Sequence, residues 1–201
     1  MVLRDRMLLE ETLARFAVVA RPEIVRDHGR KSCVAATWIT IEVLRILGVC
    51  ADPLVVRLTV GNAAYRRLCQ ERGIPRTEEE LDEWSRAFGA HNIGVGFERE
   101  PGGIGAHVVA IADDSYLIDS SLDQATNSAN DIVPPGVLYG RIDPNFVMRP
   151  LLLLRMDTED LFIEYSHHPN PPDIEQLPEW GHNTQTDGSV RRILAEMDVG
   201  H

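Results

Sequence analysis

Lysine is almost missing from this chain. Lys31 is the only one, and 20 basic side chains in all stand against 31 acidic ones, for a net charge of −11 over 201 residues. Non-specific nucleic-acid binding needs a dense basic surface that displaces counterions from phosphates, so nucleic acid is not an expected partner. Phosphate chemistry built on lysine has a single residue to work with, and the P-loop pattern is absent. Cysteine is scarce as well. Cys33, Cys50 and Cys69 make an odd count without a CxxC pair, which is neither a disulfide framework nor a zinc spacing. Reduced thiols are expected, with no metal and no cofactor. Long apolar runs are also wanting: Ile41 to Leu47 and Pro150 to Leu154 stop far short of the roughly 20 residues that span a bilayer. The first residues place Glu10 and Glu11 inside an amphipathic pattern rather than an apolar signal core. The expectation is a cytoplasmic protein that makes no membrane contact.

What is present suffices for one hydrophobic core: 44% of the residues are hydrophobic and 25% charged. Leu8, Leu9, Leu13, Phe16, Ala17 and Ala20 predict a helix from Leu3 to Ala20, closed by Pro22. A second helix starts at Ser32 as its N-cap and runs to Leu47, with Gly48 suited to the left-handed position beyond it. Val34, Ala35, Ala36, Ile39, Val43 and Leu44 are among the residues that leave it hardly any polar face, so it should be buried nearly all round.

Further on, Pro53–Val60 reads as a strand, Ala63–Glu71 as a short helix, and Glu78–Phe88 as another capped by Thr77. A glycine-rich loop with a short strand near Gly94–Phe97 leads to a hairpin of Ala106–Ala112 and Tyr116–Asp119. Short strands are expected at Val137–Tyr139, Val147–Arg155 and Leu161–Tyr165. Helices first and strands later imply an α+β domain with an antiparallel sheet. From residue 157 onward ten acidic residues face two arginines. Residues 1–166 therefore read as one main domain, the one that holds the candidate functional residues, and 167–201 as an acidic, proline-rich tail, with a linker at His167–Pro172 and a helix at Asp187–Met197.

Three residues distant in sequence carry the chemistry. A thiol attacks a carbonyl carbon as thiolate, which the positive end of a helix and a nearby imidazole both favour. Cys33 sits at the first turn of the buried helix, where its backbone N–H is among the donors a helix start leaves free to hold an oxyanion. His107 opens one strand of the hairpin and Asp119 closes the other. A carboxylate that fixes the imidazole tautomer and steadies the imidazolium completes the logic of covalent catalysis. Register decides whether the two can meet. A two-residue turn at Asp113-Asp114 would set Asp119 opposite Val108 and away from His107, whereas a three- or five-residue loop sets it opposite Val109, on the His107 face. An odd-numbered loop is expected.

A cysteine opening a buried helix, then Gly105-Ala106-His107-Val108-Val109, then Leu117-Ile118-Asp119, resembles the papain-like fold in its transglutaminase-like form. The same order with an aspartate in third place is also found in the arylamine N-acetyltransferases. The resemblance covers about Arg30 to Gln124. It implies a Cys33-His107-Asp119 triad acting on a peptide, amide or thioester through an acyl-enzyme, ending in hydrolysis (peptidase or amidase) or transfer to an amine (transglutaminase or acyltransferase). Asp119-Ser120-Ser121-Leu122-Asp123-Gln124 resembles the Asp-x-x-x-x-Gln run of several bacterial members, with Gln124 as a hydrogen-bonder. No glutamine precedes Cys33, so the side-chain oxyanion donor of papain has no counterpart. Gly105 and Gln124 are left, with the Cys33 N–H, as residues of the oxyanion site and cleft. The rival expectation is a catalytically silent member of the same fold that binds a protein partner.

Other candidates are weaker. His167, His168 and His182 could be imagined with Asp173 or Glu175 around a metal, but prolines make that geometry loose. Cys50 and Cys69 read as small buried hydrophobes, and Trp38 and Trp84 as core packing. Gly102-Gly103-Ile104-Gly105 precedes a strand and opens no helix, so it is a cleft wall rather than a phosphate loop.

Overall fold

A strand of 12 residues, β1 (Ala51–Asn62), organises the sheet, and it follows two helices, α1 (Leu3–His28) and α2 (Cys33–Ile46). The computed structural model describes residues 3–97, 105–142, 154–156, 158 and 160–198. After β1 come α3 (Ala63–Arg72), α4 (Glu78–Phe88), β2 (Asn92–Val95), β3 (His107–Ala112) and β4 (Tyr116–Asp119). Two 3-10 turns at Leu122–Ala125 and Ser128–Asn130 lead to β5 (Leu138–Arg141), β6 (Leu154–Arg155), β7 (Leu161–His167) and α5 (Thr184–Asp198). The described strands form one sheet in the order β5-β4-β3-β1-β7-β6, with every pairing antiparallel. The α+β class with an antiparallel sheet is as expected.

One flank of β1 is shared by two strands in succession. Ala51 to Val56 pair with β3, and Leu58 to Gly61 pair with β2. The chain thus leaves the ladder after β2 and rejoins it at His107. Gly96, at φ 82°, sits at this junction. A Cβ there would lie 3.0 Å from Ala106 Cα and 3.1 Å from both His107 N and Val56 O, so the close approach requires glycine.

Ten of the 14 residues of α2 are buried, which makes it the spine its composition predicts. Its Ile39 and Val43 join Leu13 and Phe16 of α1 and Ala110 and Ile118 of the hairpin in the main core. The α3–α4 pair, capped by Asn62 and Thr77 side chains, packs Tyr65 and Trp84 against Phe162 of β7.

Three expectations need correction. Pro22 does not end α1, which continues to His28. Proline removes the N–H that would bond the Val18 carbonyl, yet Val18 is 78% exposed, so water can serve that carbonyl, while Ile24 beyond the proline is fully buried in the core. Packing outweighs the missing bond. Cys50 is exposed rather than a buried hydrophobe, because it lies in the turn before β1; Cys69 is buried as expected. β2 starts two residues before the strand expected at Gly94–Phe97. Of the strand expected at Val147–Arg155, Leu154 and Arg155 form β6 and 147–153 lie outside the described residues, as do Gly102, Gly103 and Ile104.

The terminal helix begins at Thr184, and its Val190, Ile193 and Met197 belong to the main core. Arg192 bridges it to α1 through Glu23 at 2.5 Å and through Asp27. No helix among the described residues is long and apolar enough to cross a membrane.

Candidate active site

The hairpin register places the aspartate. Ala112 pairs with Tyr116 and Ala110 with Ile118, which puts Asp119 opposite Val109 and on the side of the sheet that His107 faces. The loop has three residues. Asp113 (φ 45°) and Asp114 (φ 53°) make the left-handed turn, and Ser115 is the additional residue that sets the odd count. His107 Nε2 then lies 2.7 Å from Asp119 Oδ2, with both side chains wholly buried.

Burial pushes the Asp119 carboxyl toward the neutral form, but its partners outweigh it and the group titrates below the ordinary carboxylate value. Those partners are the His107 ring, the Ser121 backbone N–H at 2.9 Å and the Tyr165 hydroxyl, which donates to Oδ2 at 3.0 Å. The Ser121 hydroxyl adds a longer contact to Oδ1, so each carboxylate oxygen receives two donors. Burial likewise opposes the His107 cation. The Asp119 charge and hydrogen bond reverse that, and a hydrogen bond with the Cys33 thiol adds to them, so the imidazole is raised above its ordinary value. The three residues singled out in the sequence are therefore brought together, with the ring held between carboxylate and thiol.

Cys33 is half-buried at the first residue of α2. Ser32 occupies the N-cap position but does not cap: its hydroxyl donates to the Gly29 carbonyl at 2.8 Å, and Ala36 N is bonded to the Ser32 carbonyl. No side-chain oxygen therefore competes for the backbone donors at the start of the helix. Thr37 Oγ1 donates to the Val108 carbonyl at 2.9 Å and Thr40 bonds Ser120 at 2.8 Å, tying the cysteine helix to β3 and to the residue that follows β4.

Gln124 reaches the same imidazole from the 3-10 turn at Leu122–Ala125, its amide nitrogen 2.5 Å from Nδ1. An amide can present either end by rotation, so its N–H donates to an unprotonated Nδ1 and its oxygen accepts from a protonated one. Beneath it, buried Arg21 donates to the Ser120 and Arg30 carbonyls at 3.2 and 2.8 Å. It also lies 2.5 Å from Asp123, an ion pair without hydrogen-bond alignment. Gly105, at φ 62°, stands two residues before His107, and its carbonyl bonds His168 at 2.9 Å.

Tyr165, Ser121, Arg21 and Gly96 were not singled out in the sequence. A tyrosine in an alternating strand and an arginine in an amphipathic helix carry no local mark of such a role. Among the described residues no group of histidine, cysteine, aspartate and glutamate could hold a metal ion. His182 instead bonds Asp187 at 2.9 Å. Trp84 is buried as expected, while Trp38 is only partly so and meets Trp180 edge-on at 5.0 Å. Comparison with protein-family models, curated proteins and solved structures finds no match to this chain.

Proposed function

We propose that this chain is a cysteine-dependent acyl-transfer enzyme of papain-like, transglutaminase-like type, with Cys33 as nucleophile, His107 as base and acid, and Asp119 as orienting carboxylate. The observation that carries the reading is an imidazole fully buried between Asp119 and the Cys33 thiol. Asp119 occupies Nε2, so the proton exchanged with substrate travels on Nδ1. The sulfur's proton rests on the ring as the imidazolium, the thiolate attacks the carbonyl carbon of an amide or thioester, and a C–S bond forms. The Cys33 N–H, left free at the start of α2, is the donor offered to the developing oxyanion, and the Gln124 amide borders the same imidazole. The imidazolium returns its proton to the leaving group as the old bond breaks. Water, or an amine, then attacks the thioester with His107 as base and restores the thiol. Water is always at hand and its exclusion takes a tailored cleft, which favours amide hydrolysis over transfer.

A catalytically silent, partner-binding protein is the second reading, and one contact favours it: the Gln124 amide sits on the ring nitrogen that the mechanism needs. The two differ in thiol chemistry. Iodoacetamide at pH 6 should modify Cys33 at least several-fold faster than Cys50, although Cys50 is the exposed thiol and Cys33 only half-exposed. A competent enzyme should also show, by intact mass, an acyl adduct that Cys33→Ala abolishes. Labelling that follows exposure, Cys50 ahead of Cys33, favours the silent reading.

A further inference from the structure

We infer that residues 168–182 form a strap over the nucleophile, which must lift before an acyl donor larger than a small reagent can reach Cys33. The inference rests on the proposed role of Cys33 and adds a means of regulating access to it. Cys33 packs on a small apolar cluster made by Val34 of α2, Val108 of β3 and Ile174 of the strap, and Leu177 and Trp180 close its edge. Ile174 is 7% exposed, so one strap side chain is buried beside the thiol. Trp180 and His182 meet Trp38, on the cysteine helix itself, at 5.0 and 5.2 Å. The strap therefore occupies apolar surface that the group flanking a scissile carbonyl would need.

Its attachment suits a part that moves. Pro169, Pro171, Pro172 and Pro178 have no N–H to give. Among the described residues, the backbone donors of Asn170, Glu175, Leu177 and Trp180 all bond within the strap. One hydrogen bond ties its beginning to the body of the protein, from His168 to the Gly105 carbonyl, two residues before His107. Both ends are firmly held, by β7 in the sheet and by α5 in the core. Lifting the strap therefore breaks side-chain packing, the His168 contact and, at its far end, the contacts of His182 with Asp187 and Glu42 and of the Gly181 carbonyl with Thr186, but no sheet pairing and no core helix.

The test replaces residues 169–180 with a Gly/Ser linker of equal length, which leaves α5 in place, and compares two thiol reagents at Cys33. Iodoacetamide is small, and its rate should change less than about three-fold, whereas a bulky N-aryl maleimide should react at least ten-fold faster than with the wild type. Cys50 serves as the internal control and should not change with either reagent. Ile174→Ser provides a milder variant in case the linker protein does not fold, and it should move the bulky reagent in the same direction. An unchanged maleimide rate at Cys33 in a folded variant overturns the strap. Failure of the enzymatic reading is separate, since it would appear in the wild type as Cys33 alkylating no faster than Cys50 at pH 6.

Discussion

Tyr165 and His107, 58 residues apart in sequence, bond the same oxygen of Asp119, at 3.0 and 2.7 Å. The tyrosine touches neither thiol nor substrate in the proposed chemistry, so its role is to position and steady the carboxylate. Tyr165→Phe removes one donor to a charged acceptor and should lower stability by about 1.5–3 kcal/mol. With that donor gone, Asp119 should protonate at higher pH. The acid limb of the Cys33 alkylation profile should shift upward in pH, which a purely structural loss would not produce. An unshifted profile in a folded variant removes Tyr165 from the site.

The buried His107–Asp119 pair predicts a specific dependence of stability on pH. The imidazole is raised in the folded state, to about 10, from its ordinary value of 6.5, so its contribution is complete below about pH 6.5 and is lost as pH climbs through 10. Asp119 is lowered, so its contribution is complete above about pH 4 and is lost as pH falls through its folded value. Urea unfolding of the wild type and of His107→Gln should differ most between pH 4.5 and 6.5, and the difference should shrink steadily as pH rises from there toward 10. A difference that stays constant over that range contradicts the paired imidazolium.

Deleting Ser115 tests the register. Two left-handed aspartates alone make a two-residue turn, which keeps Ala112 opposite Tyr116 and so leaves Asp119 opposite Val109, on the His107 side. The deletion, like Ser115→Ala, should therefore leave the fast alkylation of Cys33 within two-fold. Loss of the fast alkylation in the deletion variant alone would show that the strands slip to keep a three-residue loop, which sets Asp119 opposite Ala110 and turns its carboxylate away.

Gly96→Ala meets both a left-handed backbone and three main-chain atoms at 3.0 to 3.1 Å, among them His107 N. Backbone cannot swing aside as a side-chain tip can. The variant should be destabilised by about 1–3 kcal/mol, the range for backbone strain at such positions. Gly73→Ala is the control, since it shares the positive φ but meets nothing within 4 Å. Similar losses in both would assign the effect to φ alone and clear the His107 strand of involvement.

The sequence made some of this legible for physical reasons that stay local. The near absence of polar residues from α2 leaves no face for solvent, and hairpin register depends only on alternation and loop count, so the facing of His107 and Asp119 reduced to an odd or an even loop, a choice that the expected triad decided and the three-residue loop bears out. Tyr165 could not be found that way. Its partner is 46 residues away, and β7 meets β4 only through β1 and β3, an ordering that no period in the sequence encodes. Pro22 misleads for a related reason: the local rule against proline in helices is sound, but the burial of Ile24 that overrides it depends on tertiary structure. The axial position of Ser32 was readable, while the turn of its hydroxyl toward Gly29 was not, since the same side chain serves either purpose.

Because β2 and β3 follow one another along a single flank of β1, Val95 and His107 are held by Leu58 and Val56, two residues apart on one strand. Neither register depends on how many residues join β2 to β3. Insertions or deletions between Phe97 and Gly105 should therefore be tolerated without parting the imidazole from its carboxylate.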